Sequence, residues 1–325
     1  MDFFNGSLDN SSVLTFNFST TQYDVILLPS IFGIICFLGI VGNCLVMYTI
    51  MKRTKCSAKQ TVPDIFIFSL SIVDLLFLLG MPLLIHQLLG EGSWCFGSIL
   101  CTVITTLDSN SQTVSTYILT VMTLDRYVAT VHPIRFNHIR TPRVAVAMVV
   151  IVWLLSVISV TPLFLYTRLM PLPGGRVGCA LLLPNPSIDI YWFTLYQFVL
   201  VFALPLAIIC LVRTKKVTRM AVAICSAFFT CWAPYYILQL VHLGIRQPSP
   251  TFYYTYNIAI SMGYANSCIS PFLYILLSDN FKRQLIVAVQ PVHKRFRVNP
   301  STTEGSVTLN LAPDGRRHSH SEDTE

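Results

Sequence analysis

The amino-acid sequence predicts an all-α membrane protein, a bundle of seven transmembrane helices with a short amphipathic helix after the seventh. Three observations lead to this prediction: the composition is apolar, the apolar residues fall into long runs, and the basic residues alternate between connecting segments. Of the 325 residues 54% are hydrophobic and 11% are charged, with a mean hydropathy of +0.63, whereas an ordinary soluble domain is about 25% charged. A soluble globular protein is therefore excluded.

Each apolar run has at least the ~20 residues that cross ~30 Å of hydrocarbon as a helix. A lone strand in lipid would leave its backbone N–H and C=O groups without partners, so the runs are predicted to be helices. A porin-like barrel is excluded because no run alternates polar and apolar residues. The predicted spans are residues 25–51, 63–89, 97–130, 144–166, 190–212, 220–243 and 252–277.

The basic residues give the orientation. All 22 Lys and Arg except Arg168, Arg176 and Arg246 fall at the ends of, or in the segments after, runs one, three, five and seven. By the positive-inside rule these segments are cytoplasmic and the amino terminus is extracellular, which predicts a multi-pass protein of the plasma membrane. The formal net charge of +7 is thus a topology signal, and we expect no nucleic-acid partner.

Three regions follow from this topology: residues 1–24 as an extracellular tail, 25–290 as the membrane domain, and 291–325 as a disordered cytoplasmic tail. The first tail carries three N-x-S/T sequons, which predict glycosylation at Asn5, Asn10 and Asn17. The last tail is rich in Ser and Thr and is a candidate phosphorylation region. Phe281 and Leu285 beside Lys282 and Arg283 predict the amphipathic helix, lying on inner-leaflet lipid.

Three of the ten cysteines, Cys95, Cys101 and Cys179, are predicted to face the oxidising outer side. One disulfide and one leftover thiol are therefore expected. We pair Cys101 with Cys179 and leave Cys95 unpaired, although from sequence alone Cys95 could take either place.

Two acids lie deep in predicted spans, where charge is costly and an acid is a functional candidate. Asp108 begins a polar stripe of span three, with Ser111, Gln112 and Ser115 at helical spacing. We interpret Asp108 as the counter-ion of a cationic ligand that enters from outside; the alternative is an acid that only aids helix packing. The other candidate pocket residues, at comparable depth, are Gln112, Gln197, Tyr235, Gln239, Tyr256 and Tyr264.

Asp74 lies near the membrane midplane. We assign it to a buried polar network with Asn43, Ser115 and Asn266, able to hold Na⁺ as an allosteric ion; a purely structural cluster is the alternative. No other cofactor is expected. Mid-helix prolines predict bends in spans six and seven, and the candidate activation residues at these bends are Trp232, Pro234, Pro271 and Tyr274. Static kinks are the alternative.

Five motifs in order along the spans resemble rhodopsin-like (class A) G protein-coupled receptors: GIVGN ending at Asn43, LSIVDLL around Asp74, Asp125-Arg126-Tyr127, CWAP, and the Pro271 to Tyr274 segment. In detail, VPDIFIFSLSIVDLLFLLGMP (62–82), ATVHPI (129–134) and CWAPYYILQL (231–240) look like the melanin-concentrating hormone receptors.

This resemblance implies a receptor for a disulfide-cyclised peptide that contains arginine, signalling through heterotrimeric G proteins. It implies that Asp108 receives the peptide's basic side chain. The residues that it implies at the G protein interface are Asp125, Arg126, Tyr127 and Ile134.

Two departures from the family pattern stand out. Ser270 replaces the asparagine before the span-seven proline, which puts the sodium-linked network and the resting activity in question. Only 26 residues separate Pro205 from Trp232, so span five lacks the cytoplasmic extension and the tyrosine that such receptors use to hold the active state. The hypothesis is a shortened form with impaired coupling.

Other functional classes are less well supported. A retinal-binding relative needs a lysine where this chain has Tyr264. A secondary transporter or proton carrier could use Asp74 and Asp108, but neither internal repeats nor broken spans are evident. No nucleophile and base or metal-ligand motif indicates an enzyme.

Overall fold

The computed structural model describes residues 22–55, 61–90, 92–131, 134–136, 140–212, 219–245, 249–277, 281–283 and 285–286. The predicted glycosylation sites and the carboxy-terminal tail lie outside these residues. The described residues belong to one compact unit.

Each of the seven predicted runs is helical in the structure. The fifth run is divided into α5, a π-helical segment and α6, so the seven runs carry eight α-helices. Their bounds are α1 Gln22–Lys55, α2 Val62–Leu89, α3 Gly97–Val131, α4 Pro142–Tyr166, α5 Pro186–Gln197, the π segment Phe198–Ala203, α6 Leu204–Val212, α7 Arg219–Gly244 and α8 Pro250–Leu277.

Six helical stretches among the described residues are long and apolar enough to cross a membrane; α3 is not one of them. It is nevertheless 35 residues long and occupies the centre of the bundle, in contact with α2, α4, α6 and α7. Many of its polar side chains are buried. Five threonines of α3 donate hydrogen bonds of 2.8–2.9 Å to the carbonyl four residues earlier: Thr113, Thr116, Thr120, Thr123 and Thr130.

The π segment lies directly before Pro205. The backbone N–H of Leu204 bonds to the carbonyl of Val199, five residues earlier. Proline has no N–H to donate and its ring crowds the preceding turn, so the helix widens at this point, as π-bulges commonly do within α-helices. The sequence analysis did not identify this interruption.

The outer loop after α4 forms a hairpin that the sequence analysis also did not identify. Strands β1 (Thr167–Pro171) and β2 (Val177–Leu181) pair antiparallel, with Leu169 opposite Cys179. Gly174 turns the chain between them with a φ of +77°, a value that favours glycine. The predicted disulfide between Cys101 and Cys179 is confirmed and fastens β2 to the top of α3, while Cys95 is an exposed free cysteine.

Beyond α8, residues 281–283 and 285–286 are helical. Phe281 is buried, whereas Lys282 and Arg283 are exposed. This division of apolar and basic side chains agrees with the predicted amphipathic helix.

Candidate functional site

An open cavity lies between the outer parts of α1, α2, α3, α7 and α8, next to β2. Its volume is about 870 Å³, including the space at its mouth. The lining residues are Phe32, Leu84, Ile85, Gln87, Thr105, Asp108, Gln112, Cys179, Ala180, Leu181, Trp232, Tyr235, Ile260 and Tyr264. A concave lining that is mostly apolar with a few convergent polar groups is typical of a ligand site.

Asp108 supplies the acidic group of this cavity. The Tyr264 hydroxyl donates to its Oδ1 at 3.1 Å, and Gln112 Nε2 donates to its Oδ2 at 3.3 Å. Neither donor is charged, and no ion pair joins Asp108 to a basic residue within the described part of the chain. Among the described residues the carboxylate is therefore oriented but has no cationic partner, which suits it to receive a cation from a ligand.

Amides and tyrosines extend this polar site along α7. Tyr236 Oη donates to Gln112 Oε1 at 3.5 Å. Gln239 Nε2 donates to the hydroxyls of Tyr235 at 2.8 Å and Tyr256 at 3.3 Å. Of the predicted pocket residues, four line the cavity (Asp108, Gln112, Tyr235 and Tyr264), and Gln239 and Tyr256 join it through Tyr235.

Gln197 does not line this cavity. Its Nε2 is buried and has no hydrogen-bond partner among the residues that the structure describes. Gln197 is therefore not positioned for the predicted ligand contact in this cavity.

Aromatic rings form the floor of the cavity. Phe77 stacks on Tyr264 with ring centroids 4.5 Å apart and lies 5.9 Å from the Trp232 ring. Trp232 covers Gly263 so closely that an added Cβ would stand 2.8 Å from the indole. Phe77 was missed because an apolar residue within an apolar run carries no separate sequence signal.

Gln87 was also missed. It is buried near the outer end of α2 and donates from Nε2 to the Cys179 carbonyl at 2.9 Å, so it holds β2 over the cavity. A glutamine near the end of an apolar run is a signal that could have identified it.

Asp74 lies in the predicted polar network, but its bonded partner is Ser267. The Ser267 hydroxyl donates to Asp74 Oδ1 at 2.8 Å, and Asn43 Nδ2 donates to the Ser267 carbonyl at 3.0 Å. Ser115 and Asn266 are buried in the same bundle. In this part of the bundle, four buried oxygens have no hydrogen-bond partner among the described residues: Asp74 Oδ2, Asn43 Oδ1, Ser71 Oγ and the hydroxyl of Tyr274.

Pro234 lies within α7 and Pro271 within α8, and both helices continue past them. Ser270 donates its hydroxyl to the Asn266 carbonyl of its own helix at 3.0 Å. Ser270, which stands where the family has asparagine, therefore already uses its one side-chain donor in this bond.

At the cytoplasmic end of α3, Asp125 pairs with Arg140, which lies in the following loop. Arg140 Nε and Nη2 donate to the two carboxylate oxygens at 2.7 and 3.0 Å, and this bonding raises the pKa of the Arg140 guanidinium. Arg126 and Tyr127 are half-buried beside this pair, and Ile134 is 93% exposed. The sequence analysis missed Arg140 because the path of the loop decides which of its basic residues reaches Asp125.

Comparison with known proteins agrees with this architecture. The profile of the 7 transmembrane receptor (rhodopsin family) matches residues 42–215 and 211–274. Melanin-concentrating hormone receptor 1 of Sus scrofa and of Homo sapiens are each 53% identical over 292 residues, covering 83% of this chain and 83% of the relative. Melanin-concentrating hormone receptor 2 of Homo sapiens is 38% identical over 290 residues, covering 81% of this chain and 84% of the relative.

These alignments also contain a length difference. The 292 aligned positions cover 83% of 325 residues, which is about 270, so about 22 positions have no counterpart in this chain. The two parts of the family match meet at residues 211–215, between α6 and α7. The transporter or proton-carrier alternative finds no support in these comparisons.

Proposed function

This chain belongs to the rhodopsin family of seven-transmembrane receptors and, within it, to the melanin-concentrating hormone receptors, and we propose that its ligand is the cationic neuropeptide melanin-concentrating hormone. As a member of this family it is a multi-pass plasma-membrane receptor and not an enzyme. The hormone enters the outer cavity and its basic side chain pairs with Asp108. Peptide binding then shifts the helix bundle between inward-closed and inward-open arrangements.

The observation that supports this proposal most strongly is the Asp108 carboxylate, held by Tyr264 and Gln112 without a basic partner among the described residues. A guanidinium can approach such a carboxylate with two parallel N–H donors. The tyrosine and tryptophan rings of the cavity wall suit the remaining face of the same cation. One cationic side chain would therefore use both the charge and the aromatic surface.

The cytoplasmic partner is a heterotrimeric G protein, which we place against Arg126, Tyr127 and Ile134. Ile134 is 93% exposed beyond the end of α3 and is therefore accessible to such a partner. Arrestin and receptor kinases are proposed partners of the Ser/Thr-rich tail, and inner-leaflet lipid of the Lys282 and Arg283 segment.

A sodium ion is proposed as an allosteric ligand beside Asp74. Hard cations take oxygen ligands, and Asp74 Oδ2, Asn43 Oδ1 and Ser71 Oγ are buried oxygens without a partner among the described residues. Bound there, the ion would supply positive charge to this network. We expect Na⁺ to change hormone affinity in the wild type but not in Asp74→Asn, measured by equilibrium binding against a choline salt of equal ionic strength.

Saturation binding of labelled melanin-concentrating hormone to intact cells tests the ligand assignment. Surface staining of the amino terminus establishes that the chain has reached the plasma membrane. We expect saturable binding that the unlabelled hormone displaces and a linear basic peptide of equal charge does not. Correctly surfaced protein without saturable binding would remove the hormone assignment.

A further inference from the structure

The connection between α6 and α7 is very short. Only six residues, 213–218, separate Val212 of α6 from Arg219 of α7. Two antiparallel helices need a loop of about 2–5 residues to reverse direction. Whatever the conformation of these six residues, α6 therefore cannot extend more than about one turn beyond Val212 towards the cytoplasm.

Ring contacts give the depth of Val212, the last described residue of α6. Phe202 lies between Phe229 and Tyr236 of α7, with ring centroids 5.4 and 5.0 Å away, so it is level with Trp232 midway between them. Ten residues lead from Phe202 to Val212, which is about 15 Å along the axis.

The same reference level can be carried to α3. Thr123 Oγ1 lies 3.3 Å from Cys225 Sγ, and Cys225 is seven residues, about 10 Å, below the Trp232 level. Arg126 is then about 15 Å and Val131 about 22 Å below that level. Val212 is thus level with Arg126, and α3 continues about 7 Å further towards the cytoplasm than the described part of α6.

The short connection limits the wall that α6 can form around the cytoplasmic groove. Even with one further turn, α6 reaches only about the level of Val131 at the end of α3 and cannot project beyond it. The relatives have about 22 more positions than this chain in the aligned region, and the family match is divided into two parts that meet at residues 211–215. A stable protein interface takes about 20–30 residues on each side. The number of missing positions is therefore comparable to the number of residues on one side of such an interface.

The outer site does not share this deficit. Asp108, Gln112 and Tyr264 lie on α3 and α8 and bond to each other. Tyr235, which lines the same cavity, stands sixteen residues above Arg219, about 24 Å along α7. A change confined to the α6–α7 connection therefore leaves the cavity wall intact.

We propose that this 325-residue chain binds the hormone without activating G protein efficiently, and so acts as a hormone-sequestering receptor that competes with signalling receptors for free peptide. The inference rests on the proposed function, because it needs the outer cavity to take the hormone. It adds that this chain keeps hormone binding but has lost efficient activation of the G protein.

The test compares the full chain with an insertion variant. In the variant, the segment of human melanin-concentrating hormone receptor 1 that has no counterpart here is placed between Ile209 and Thr214. Both are stained at the surface, titrated with labelled hormone, and assayed for hormone-driven nucleotide exchange on purified heterotrimeric G protein. The full chain is also co-expressed with the human receptor at rising ratios.

We expect hormone affinities within about threefold of each other, exchange at least about tenfold lower for the full chain, and a rightward shift of the human receptor's concentration–response curve as the full chain increases. Equal exchange by both proteins would overturn the inference. Retention of the full chain inside the cell would overturn the inference while leaving the hormone assignment standing, whereas binding by the insertion variant alone would overturn both for this chain. Absence of binding by both would remove the proposed function as well.

Discussion

Neutralising Asp108 by Asp108→Asn should weaken hormone binding by about 100-fold. Asparagine keeps the size of the side chain and an oxygen that accepts from Tyr264, now 3.1 Å away, so the change removes mainly the charge. Losing one partner of a desolvated charge pair costs about 2–5 kcal/mol. A loss of about 3 kcal/mol corresponds to about two powers of ten in Kd.

The assay is competition binding on surface-stained cells with two peptides, the natural hormone and an analogue whose arginine is replaced by the neutral isostere citrulline. The four Kd values form a double-mutant cycle, which isolates the interaction between the two side chains. We expect the analogue to lose about 100-fold on the wild type and less than about threefold more on Asp108→Asn.

Asp189→Asn is the matched control. Asp189 is also an outer-face acid, but its Oδ2 accepts from the Asn185 backbone at 2.8 Å and it does not line the cavity. Its replacement should change affinity by less than about threefold, since only screened long-range charge is lost. If the losses of Asp108→Asn and of the citrulline analogue simply add, the two groups do not meet and the mechanism is refuted.

Three further changes test the scaffold of the site. Cys101→Ser opens a disulfide that closes a 78-residue separation, which costs about 4 kcal/mol in chain entropy; we expect a lower thermal midpoint and less surface protein, whereas Cys95→Ser should change neither. Gly263→Ala places a methyl group 2.8 Å from the buried indole of Trp232. The free energy of unfolding should therefore fall by about 1–3 kcal/mol, measured as a lower thermal midpoint. An unchanged midpoint would mean that the ring moves freely. Arg140→Met leaves the Asp125 carboxylate, whose side chain is 8% exposed, without its cation, so unfolding should become easier by about 1–3 kcal/mol; adding Asp125→Asn should recover part of this loss, and a further loss would contradict the ion-pair account.

The helices could be predicted from the sequence because the membrane imposes both their length and their composition. The predicted start of span three agrees with the structure, and its end differs by one residue, although α3 is too polar to meet the hydropathy criterion. It was predicted as one of the seven apolar runs, and its polar stripe, which starts at Asp108, was a separate observation. Fold and orientation thus followed from the pattern of residue types alone.

The parts that the sequence did not reveal depend on exact backbone geometry. Ser267 reaches Asp74 because of the rotation of α8 around its axis, and a serine among several polar residues of that span carries no sign of this contact. Phe77 supports the cavity-lining ring of Tyr264 only because α2 and α8 bring the two rings together. The hairpin had a usable signal, the Pro-Gly-Gly turn at 173–175, which is typical of a chain reversal.

The threonine bonds of α3 bear on how the protein is assembled. A hydroxyl that donates to the carbonyl one turn earlier brings no unsatisfied donor into hydrocarbon, whichever neighbours are present. These bonds lower the cost of placing α3 in the bilayer before α4 and the later helices have been synthesised, while Asp108, Asn110 and Gln112 remain polar groups that need partners. Part of the polar satisfaction that α3 needs during membrane insertion thus comes from bonds within α3 itself.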